Sequence, residues 1–346
     1  MRRIGGSEIE RCVLIDGNNL LQRAYYVFID GRMKGGLPLK SGPDGYSTGI
    51  IYGFISFLNS WLYDMKPYTS ISVFFDGKST RRRTMDPTYK VHREENKNYD
   101  FRIGKSDFPV DLFDGFKAES DLSALVHIIK LLGCNVYHDP NEEADDLIAS
   151  FCKHKPETIR IIVSDDKDFF QLMTDPRIIT YRPGSKTRKF CDAAAAEEVW
   201  GRLNKVKGVG THPKVPCSQV RMFKTFCGDS SDGITGIPSL RKKIAMTICH
   251  LPTLDDVYAT DFPSFSKLER TRALELKDRI KLNWELVGLK DDLDLSQSLQ
   301  PAQKNYQMAV DICRYLGMDD LDFGSFRPVK NNVVESIPLD SWLADI

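Results

Sequence analysis

Short apolar runs typical of β-strands alternate with longer stretches of helical apolar spacing along the first half of the chain. The strand-like runs are CVLID from Cys12, SISVFFDG from Ser70, CNVYHD from Cys134 and TIRIIV from Thr158. The helix-like stretches are STGIIYGFISFLNSWLYDM from Ser47, LSALVHIIKLLG from Leu122 and EEADDLIASFCKH from Glu142. Because strands that alternate with helices build parallel sheets, the pattern predicts an α/β fold with a parallel central sheet.

Acidic side chains follow all four predicted strands. A single aspartate at such a place is usually a helix cap. The carboxyl ends of parallel strands share one edge of a sheet, however, so four segments would deliver their carboxylates to one place. Two more aspartates stand three residues apart in the Gly/Ser-rich stretch FCGDSSDGITGIP. The candidate metal ligands are Asp16, Asp76, Glu143, Asp145, Asp146, Asp166, Asp168, Asp229 and Asp232.

Such a group of carboxylates favours divalent cations. Clustered carboxylates raise one another's pKa unless cations neutralise them. Oxygen ligands select Mg²⁺, with Mn²⁺ as a substitute, and the six histidines show no spacing typical of zinc sites. Two such ions about 4 Å apart would activate water and stabilise the leaving oxygen of a phosphodiester.

Helical spacing separates the acids of the third segment. Glu143 and Asp146 are three residues apart and share a helix face, whereas Asp145 lies off that face. Asp145 therefore reaches the cations only if the helix begins here or Glu143 bends across. Asp166 and Asp168 flank one lysine in a loop, so both can point inward.

Charge is neutral overall but unevenly distributed, with 48 basic and 48 acidic residues. Residues 78–105 and 180–224 are rich in Lys and Arg, and residues 285–346 are acidic. Segregated basic blocks indicate local contact with a polyanion, although a solvated surface accounts for the charge pattern equally well. In the stretch after Asp232, the basic residues Arg241, Lys242 and Lys243 begin a predicted helix, which places a phosphate-binding feature beside carboxylates.

The eight cysteines form no C-x-x-C pair, and several lie in apolar runs, which predicts buried thiols in a reducing compartment. The first eleven residues lack the apolar core of a signal peptide. No apolar run approaches the roughly 18 residues that a membrane span needs. We therefore expect a soluble protein of the cytoplasm, or of the host cytoplasm if the protein is viral, with no membrane partner.

Six motifs, taken in order, resemble those of the metal-dependent 5′-nuclease family. That family contains flap endonucleases, the 5′–3′ exonuclease domain of bacterial DNA polymerase I, and bacteriophage 5′-exonucleases and RNase H enzymes. Each motif alone is weak, but their order is specific, and together they cover roughly Cys12 to Ala245. The motifs are LIDGNNLLQRAY, STGIIYGF, VFFDGKSTRRR with PTYKVHR, EADDLIA, SDDKDFFQLM and GDSSDGITGIP.

The resemblance implies a PIN-like sheet with helices on both faces, a helical arch and a helix–three-turn–helix module for duplex DNA. It divides the chain into a catalytic domain at 1–190 with its arch at about 78–120, a DNA-binding domain at 191–290, and a C-terminal helical segment with an acidic tail at 291–346. All nine carboxylates named above match metal ligands of the family.

The resemblance also assigns roles to basic and aromatic residues. Lys90, Arg93, Asp76 and Asp166 are expected to act in catalysis. Lys90 and Arg93 are three apart and would share a helix face near the scissile phosphate, although a plain surface helix shows the same spacing. The expected nucleic-acid contacts are Arg23, Tyr25, Arg82, Tyr89, Lys90, Arg93, Arg241, Lys242 and Lys243. For Arg23 and Tyr25, contact with the substrate strand and simple packing remain equal alternatives.

The resulting expectation is a monomeric, structure-selective 5′-nuclease of DNA replication or repair. It would act on DNA with 5′ ends, flaps or nicks, and on RNA–DNA hybrids, to give 5′-phosphate products. The alternatives are a PIN-type single-strand ribonuclease, which needs no duplex-binding module, and a non-catalytic nucleic-acid-binding relic, which would not keep every carboxylate. The acidic C-terminal tail is either a contact for a replication protein or a packed or frayed end.

Overall fold

The computed structural model describes residues 10–28, 48–91, 121–186, 189–203, 215–238, 240, 251–260, 262 and 265–326. Every statement about the fold concerns these ranges. None of the helices within them is long and apolar enough to cross a membrane.

A seven-stranded sheet forms the centre of the described structure, in the order β6-β5-β4-β1-β2-β3-β9. Its strands are β1 (Arg11–Asp16), β2 (Ser70–Phe75), β3 (Asn135–His138), β4 (Ile159–Val163), β5 (Ile178–Tyr181), β6 (Phe190–Cys191) and β9 (Leu299–Gln300). The five strands β1 to β5 are mutually parallel, as the sequence predicts, whereas the two-residue strands β6 and β9 pair antiparallel at the edges. The sheet is therefore mixed rather than wholly parallel.

Eleven described helices accompany the sheet, and those from α7 onward include the helices of a second group of elements. They are α1 (Gly17–Phe28), α2 (Gly49–Asp64), α3 (Thr80–Met85), α4 (Asp121–Leu131), α5 (Ala144–His154), α6 (Ala193–Leu203), α7 (Val220–Cys227), α8 (Leu254–Ala259), α9 (Lys267–Glu275), α10 (Lys277–Val287) and α11 (Tyr306–Tyr315). A short 3₁₀ helix, Asp168–Leu172, follows β4.

Alternation along β1 places apolar side chains on both faces of the sheet. Val13 and Ile15 belong to one buried cluster, together with residues of α1, α2, α4 and α11. Cys12 and Leu14 belong to the other, together with residues of α5, α6 and α7. Helices thus cover both faces of the sheet, which confirms the α/β fold class expected from the sequence.

The second group of elements is built around α7, a small hairpin and α10. The hairpin consists of β7 (Gly228–Asp229) and β8 (Ile234–Thr235), which pair antiparallel. Gly228 has a φ of 77°, and a Cβ built on it would lie 2.4 Å from the backbone nitrogen of Gly236, so the hairpin needs glycine there. The motif GDSSDGITG is therefore a glycine-dependent hairpin that holds Asp229 at the end of β7 and Asp232 in the connecting turn.

The C-terminal part of the described chain is helical, as the sequence predicts, and packs back onto the helices of the central sheet. Ala309 and Ile312 of α11 are buried in the same cluster as α2 and α4. Beyond α11, the Ser325 amide donates a 2.9 Å hydrogen bond to Asn59 of α2. The acidic tail expected to contact a partner lies outside the described residues.

The beginning of the predicted arch differs from the expected helix. The helix α3 ends at Met85, and the next residues form a turn in which Lys90 has a φ of 57°. Tyr89 and Lys90 therefore do not lie on a helix, because a left-handed residue interrupts helical geometry. Arg93 and the rest of the arch lie outside the described residues, as do Arg241, Lys242 and Lys243.

Candidate metal centre

Asp16 stands at the carboxyl end of the central strand β1, where it also begins α1. Its Oδ1 accepts a 2.9 Å hydrogen bond from the Asn19 amide, and its Oδ2 accepts a 2.8 Å bond from the Ser164 hydroxyl. Burial, together with the negative charges of Asp76 and Asp166, raises the pKa of Asp16 to about 7. The residue is therefore both a helix cap and a member of an acidic cluster.

Asp76 and Asp145 meet at the start of α5. Asp76 follows β2, and its Oδ1 accepts a 2.8 Å hydrogen bond from the Ala144 amide. Because α5 begins at Ala144, Asp145 lies in the first turn of the helix. Burial and the charges of Asp166 and Asp16 raise the pKa of Asp145 well above its ordinary value. The helix start at Ala144 thus meets the condition under which Asp145 can reach the cations. Asp16, Asp76, Asp145 and Asp166, from four segments, interact at one edge of the sheet.

A second cluster joins this edge to the hairpin. Carboxylate oxygens of Asp168, Asp229 and Asp232 all lie within 4.8 Å of one another. Lys224 of α7 forms ion pairs with Asp168 and, at 2.7 Å, with Asp229. Burial and the charge of Asp166 raise the pKa of Asp168 to about 7, although Lys224 opposes the shift. Burial would also raise the pKa of Asp229, but Lys224 and the hydrogen bonds from Ser231 together lower it to about 2.

The donor set of both clusters fits hard divalent cations. It consists of aspartate oxygens, and burial together with neighbouring carboxylates raises the pKa of Asp16, Asp145 and Asp168. A cation between the carboxylates would relieve that repulsion. The residues that could hold it are Asp16, Asp76, Asp145 and Asp166 at the sheet edge, and Asp168, Asp229 and Asp232 beside the hairpin.

Glu143 and Asp146 both pair with Arg82. The Arg82 guanidinium donates at 2.7 Å to Glu143 Oε2 and at 2.7 Å to Asp146 Oδ1. Asp146 also accepts the Lys290 amide at 2.8 Å, and its side chain is fully buried. In the described structure Arg82 and Asp146 bind each other, and the ligand role of Asp146 and the substrate contact of Arg82 stay predictions.

The side chains of Tyr89 and Lys90 both point inward and contact Glu143. Tyr89 is buried, and its hydroxyl lies 3.3 Å from Glu143 Oε2 and 3.4 Å from Asp232 Oδ2. Lys90 Nζ lies 2.6 Å from Glu143 Oε1. Burial alone would lower the pKa of Lys90, but Glu143 and Asp232 raise it well above its ordinary value, so the side chain is an ammonium ion. The buried ring of Tyr89 is not free to stack on a base in this arrangement.

Arg23 and Tyr25 lie on α1 beside the sheet edge. Arg23 forms an ion pair with Asp165, which also accepts the Gly184 amide, and its guanidinium lies 5.8 Å from the centre of the Trp61 ring. Tyr25 is half-buried and packs against the cluster that contains α2. Tyr25 therefore packs within the described structure and Arg23 pairs with Asp165, while contact of either residue with a substrate strand stays a prediction.

Two residues that hold the acidic clusters together, Ser164 and Lys224, are not indicated by the sequence patterns. Ser164 donates to Asp16 and accepts the Asp166 amide at 3.0 Å, so it couples two carboxylates. Lys224 stands five residues before Asp229, between the buried residues Phe223 and Thr225, and a lysine so close to the aspartate pair is the signal that could have revealed it.

Known proteins resemble the chain in sequence. A family model described as the 5′-3′ exonuclease, N-terminal resolvase-like domain matches residues 11–201. DNA polymerase I of Mycobacterium tuberculosis is 30% identical over 330 residues, which cover 91% of this chain and 31% of that protein. The 5′-3′ exonuclease of Aquifex aeolicus is 24% identical over 288 residues, which cover 82% of this chain and 83% of that protein.

DNA polymerase I of Bacillus subtilis is 26% identical over 325 residues, which cover 91% of this chain and 32% of that protein. The chain thus spans about a third of the length of the DNA polymerase I relatives.

Solved structures show the same fold at low identity. The T5 D15 protein, co-crystallised with metal ions, superposes with a TM-score of 0.56 at 18% identity, covering 92% of this chain and 97% of that one. The bacteriophage T5 flap endonuclease in a pseudo-enzyme-product complex with DNA and metal ions superposes with a TM-score of 0.54 at 16% identity, covering 92% and 96%. Since the family model also covers more than half of the residues, this chain belongs to the family of the 5′-3′ exonuclease N-terminal resolvase-like domain.

Proposed function

We propose that the chain is a structure-selective 5′-nuclease that hydrolyses phosphodiesters near the 5′ ends, flaps or nicks of DNA, and in RNA–DNA hybrids, and leaves 5′-phosphate ends. The main support is the cluster of Asp168, Asp229 and Asp232, in which the sheet edge and the hairpin of a second group of elements share one candidate cation site. Family membership and the DNA complex of the T5 relative point the same way.

The seven carboxylates of the two clusters are the proposed ligands of two or more Mg²⁺ ions, with Mn²⁺ as a substitute. When bound, Mg²⁺ would lower the pKa of a coordinated water and offset charge on the phosphodiester. Asp76 and Asp166 hold their places through hydrogen bonds at the starts of α5 and of the 3₁₀ helix. Lys224 balances the charge of Asp168 and Asp229 and keeps the two carboxylates close.

Lys90 is the described cation proposed to face the scissile phosphate. Its ammonium lies beside Glu143, at the margin of the carboxylate clusters. From there it can release the Glu143 carboxylate and bind a phosphate oxygen instead. Such a donor acts mainly on the charge that develops in the transition state. Arg93 is proposed to assist it from outside the described residues.

The duplex is proposed to bind to the elements from α7 to α10 through a helix–three-turn–helix module. Its second helix would begin at Arg241, Lys242 and Lys243, which lie outside the described residues. In this assignment residues 1–190 form the catalytic domain, residues 191–290 the DNA-binding domain and residues 291–346 the C-terminal segment. We further propose a monomer that works in the cytoplasm, with the acidic tail as a contact for a replication protein.

The test is digestion of end-labelled flap, nicked-duplex, RNA–DNA and single-stranded RNA substrates with Mg²⁺, followed by sizing of the products. We expect cleavage near the 5′ end of the structured substrates, none in excess chelator, and recovery when Mg²⁺ or Mn²⁺ returns. Preferred cleavage of single-stranded RNA would instead identify a single-strand ribonuclease, and full activity in chelator would refute the metal mechanism.

A matched pair of variants separates chemistry from binding. Asp166→Asn removes a proposed ligand and is expected to abolish cleavage while duplex binding persists, since the phosphate contacts lie elsewhere. Asp292→Asn removes an exposed carboxylate far along the chain and is expected to leave both unchanged. Near-normal turnover by Asp166→Asn would place the site elsewhere.

A further inference from the structure

The turn that presents Lys90 is built around Asp86. Its Oδ1 accepts the Thr88 amide at 2.9 Å and the Thr88 hydroxyl at 2.6 Å, and the Tyr89 amide donates at 3.0 Å to the Asp86 carbonyl. These bonds fold the backbone tightly before Lys90 takes its left-handed conformation. The direction in which the Lys90 side chain leaves the backbone therefore depends on where Asp86 is held.

Asp86 is held from α10 by Arg279. Arg279 Nη1 lies 2.7 Å from Asp86 Oδ2, and the carboxylate side chain is 8% exposed against 30% for the guanidinium. Burial would raise the pKa of Asp86, but the bonds from Thr88 and Arg279 lower it below its ordinary value, so the pair stays charged. A largely desolvated ion pair fixes geometry more firmly than an exposed one does.

The other contacts of this turn are also with α10 and with the hairpin of β7 and β8. The Tyr89 ring packs with Ile234 of β8 and with Leu286 and Val287 of α10. The Lys90 amide donates a 3.0 Å hydrogen bond to the Asp232 carbonyl in the hairpin. The turn is therefore attached to the hairpin and to α10, although it follows α3 in the chain.

We propose that Arg279 is a positioning residue: through Asp86 it aligns Lys90 with the duplex held by the elements from α7 to α10. This inference rests on the proposed nuclease function and adds the link by which the duplex-binding part sets the catalytic cation. Hydrophobic contact of Tyr89 anchors the turn along one direction, and the Asp86–Arg279 pair stops it from rotating about that anchor. Without the pair, Lys90 would remain charged and near Glu143 but would meet the phosphate less often in a reactive geometry.

The experiment is single-turnover cleavage of a flap substrate at saturating enzyme, with duplex affinity measured separately. Arg279→Met keeps the length of the side chain and removes the charge. We expect its cleavage rate to fall about tenfold to a hundredfold, as small misplacements of catalytic groups do, with duplex affinity within about twofold of the parent. Arg279→Lys keeps a charge without the planar fork and is expected to recover part of the rate, which also covers the case in which Arg279→Met fails to fold.

The decisive comparison is made in a Lys90→Ala background. A residue that acts through Lys90 has nothing left to position there, so adding Arg279→Met is expected to lower the rate no further. Asp86→Asn combined with Arg279→Met is likewise expected to match the more affected single variant. Arg314→Met removes an exposed charge from α11, outside the proposed duplex-binding elements, and is the control, with parental rate and affinity expected.

The outcomes also separate this inference from the proposed function. If the parent cleaves no structured substrate, the proposed function fails before Arg279 is tested. If the parent cleaves and Arg279→Met retains its rate, loses duplex affinity in proportion, or lowers the rate equally without Lys90, the link is overturned and the nuclease function stands.

Discussion

Arg82 is a buried structural ion, although its sequence context is typical of an exposed or phosphate-binding residue. A basic residue in a Lys/Arg-rich stretch is usually solvated or bound to phosphate, yet Arg82 is 3% exposed. Besides its two carboxylates, it donates to the Leu286 carbonyl at 2.9 Å and to the Gly288 carbonyl at 3.0 Å. It therefore fastens the end of α10 to the start of α5.

Replacing Arg82 by Met is expected to lower the free energy of unfolding by about 3–5 kcal/mol, because Glu143 and Asp146 would remain buried without their counter-ion. Urea unfolding followed by circular dichroism measures the change. The control is Lys153→Met, which breaks an exposed ion pair between α5 and Asp291 and is expected to cause no measurable loss. Equal stability of the two variants would show that Arg82 is not a structural ion.

The buried side-chain amide of Asn283 ties helix α10 to two neighbouring elements. Asn283 is fully buried, and its Nδ2 donates at 3.0 Å to the Thr225 carbonyl of α7 and at 2.9 Å to the Thr235 carbonyl of β8. One side chain thus ties three elements together beside Asp229 and Asp232. The same helix carries Arg279, so its placement bears on both carboxylates and on Lys90.

Asn283→Ala is expected to lower the free energy of unfolding by about 1–3 kcal/mol, because two buried carbonyl groups lose a donor. It should also weaken binding of Mn²⁺, since the hairpin that holds Asp229 and Asp232 loosens. Urea unfolding and Mn²⁺ titration calorimetry measure these effects. Glu285→Ala, at an exposed position of the same helix, is the control, and Asn283→Ala with parental stability would contradict the prediction.

The protein as a whole carries two sets of carboxylates with opposite dependence on pH. Asp16 and Asp168 have a pKa of about 7 in the folded chain, so between about pH 4 and pH 7 the folded state binds protons that the unfolded state has released. Their contribution to stability therefore falls as pH rises through that window. Glu143 and Asp229, with a pKa of about 2, contribute stability that is lost only as pH falls below about 4.

Mg²⁺ is accordingly expected to raise the melting temperature more at pH 8 than at pH 5.5, because protons and the cation compete for the same carboxylates. Thermal unfolding in Mg²⁺ and in chelator at both pH values measures the difference. Asp168→Asn is expected to reduce the pH dependence of the Mg²⁺ effect, whereas Asp292→Asn is expected to leave it unchanged. Equal stabilisation at both pH values would exclude these aspartates as the cation site.

Local sequence patterns were sufficient to predict the parallel centre of the sheet and the carboxylates at one of its edges. Strand-like runs followed by aspartates predict a parallel sheet with carboxylates at one edge, since both depend on neighbours in the chain and on the common direction of the strands. Asp16, Asp76 and Asp166 lie where these patterns put them. The antiparallel edge strands were not predictable, because two-residue strands have too few side chains to show a period.

The partners of the charged side chains depend instead on contacts between residues far apart in the chain. Glu143 and Asp146 show the spacing of ligands, but Arg82 reaches them across 61 and 64 positions of sequence, and burial makes that pairing hard to break. Lys224 and Arg279 acquire their roles in the same way, from carboxylates on other elements. Composition and spacing therefore identify which residues carry charge, whereas the packing of α5, α7 and α10 determines which charges neutralise each other and which remain open to a cation.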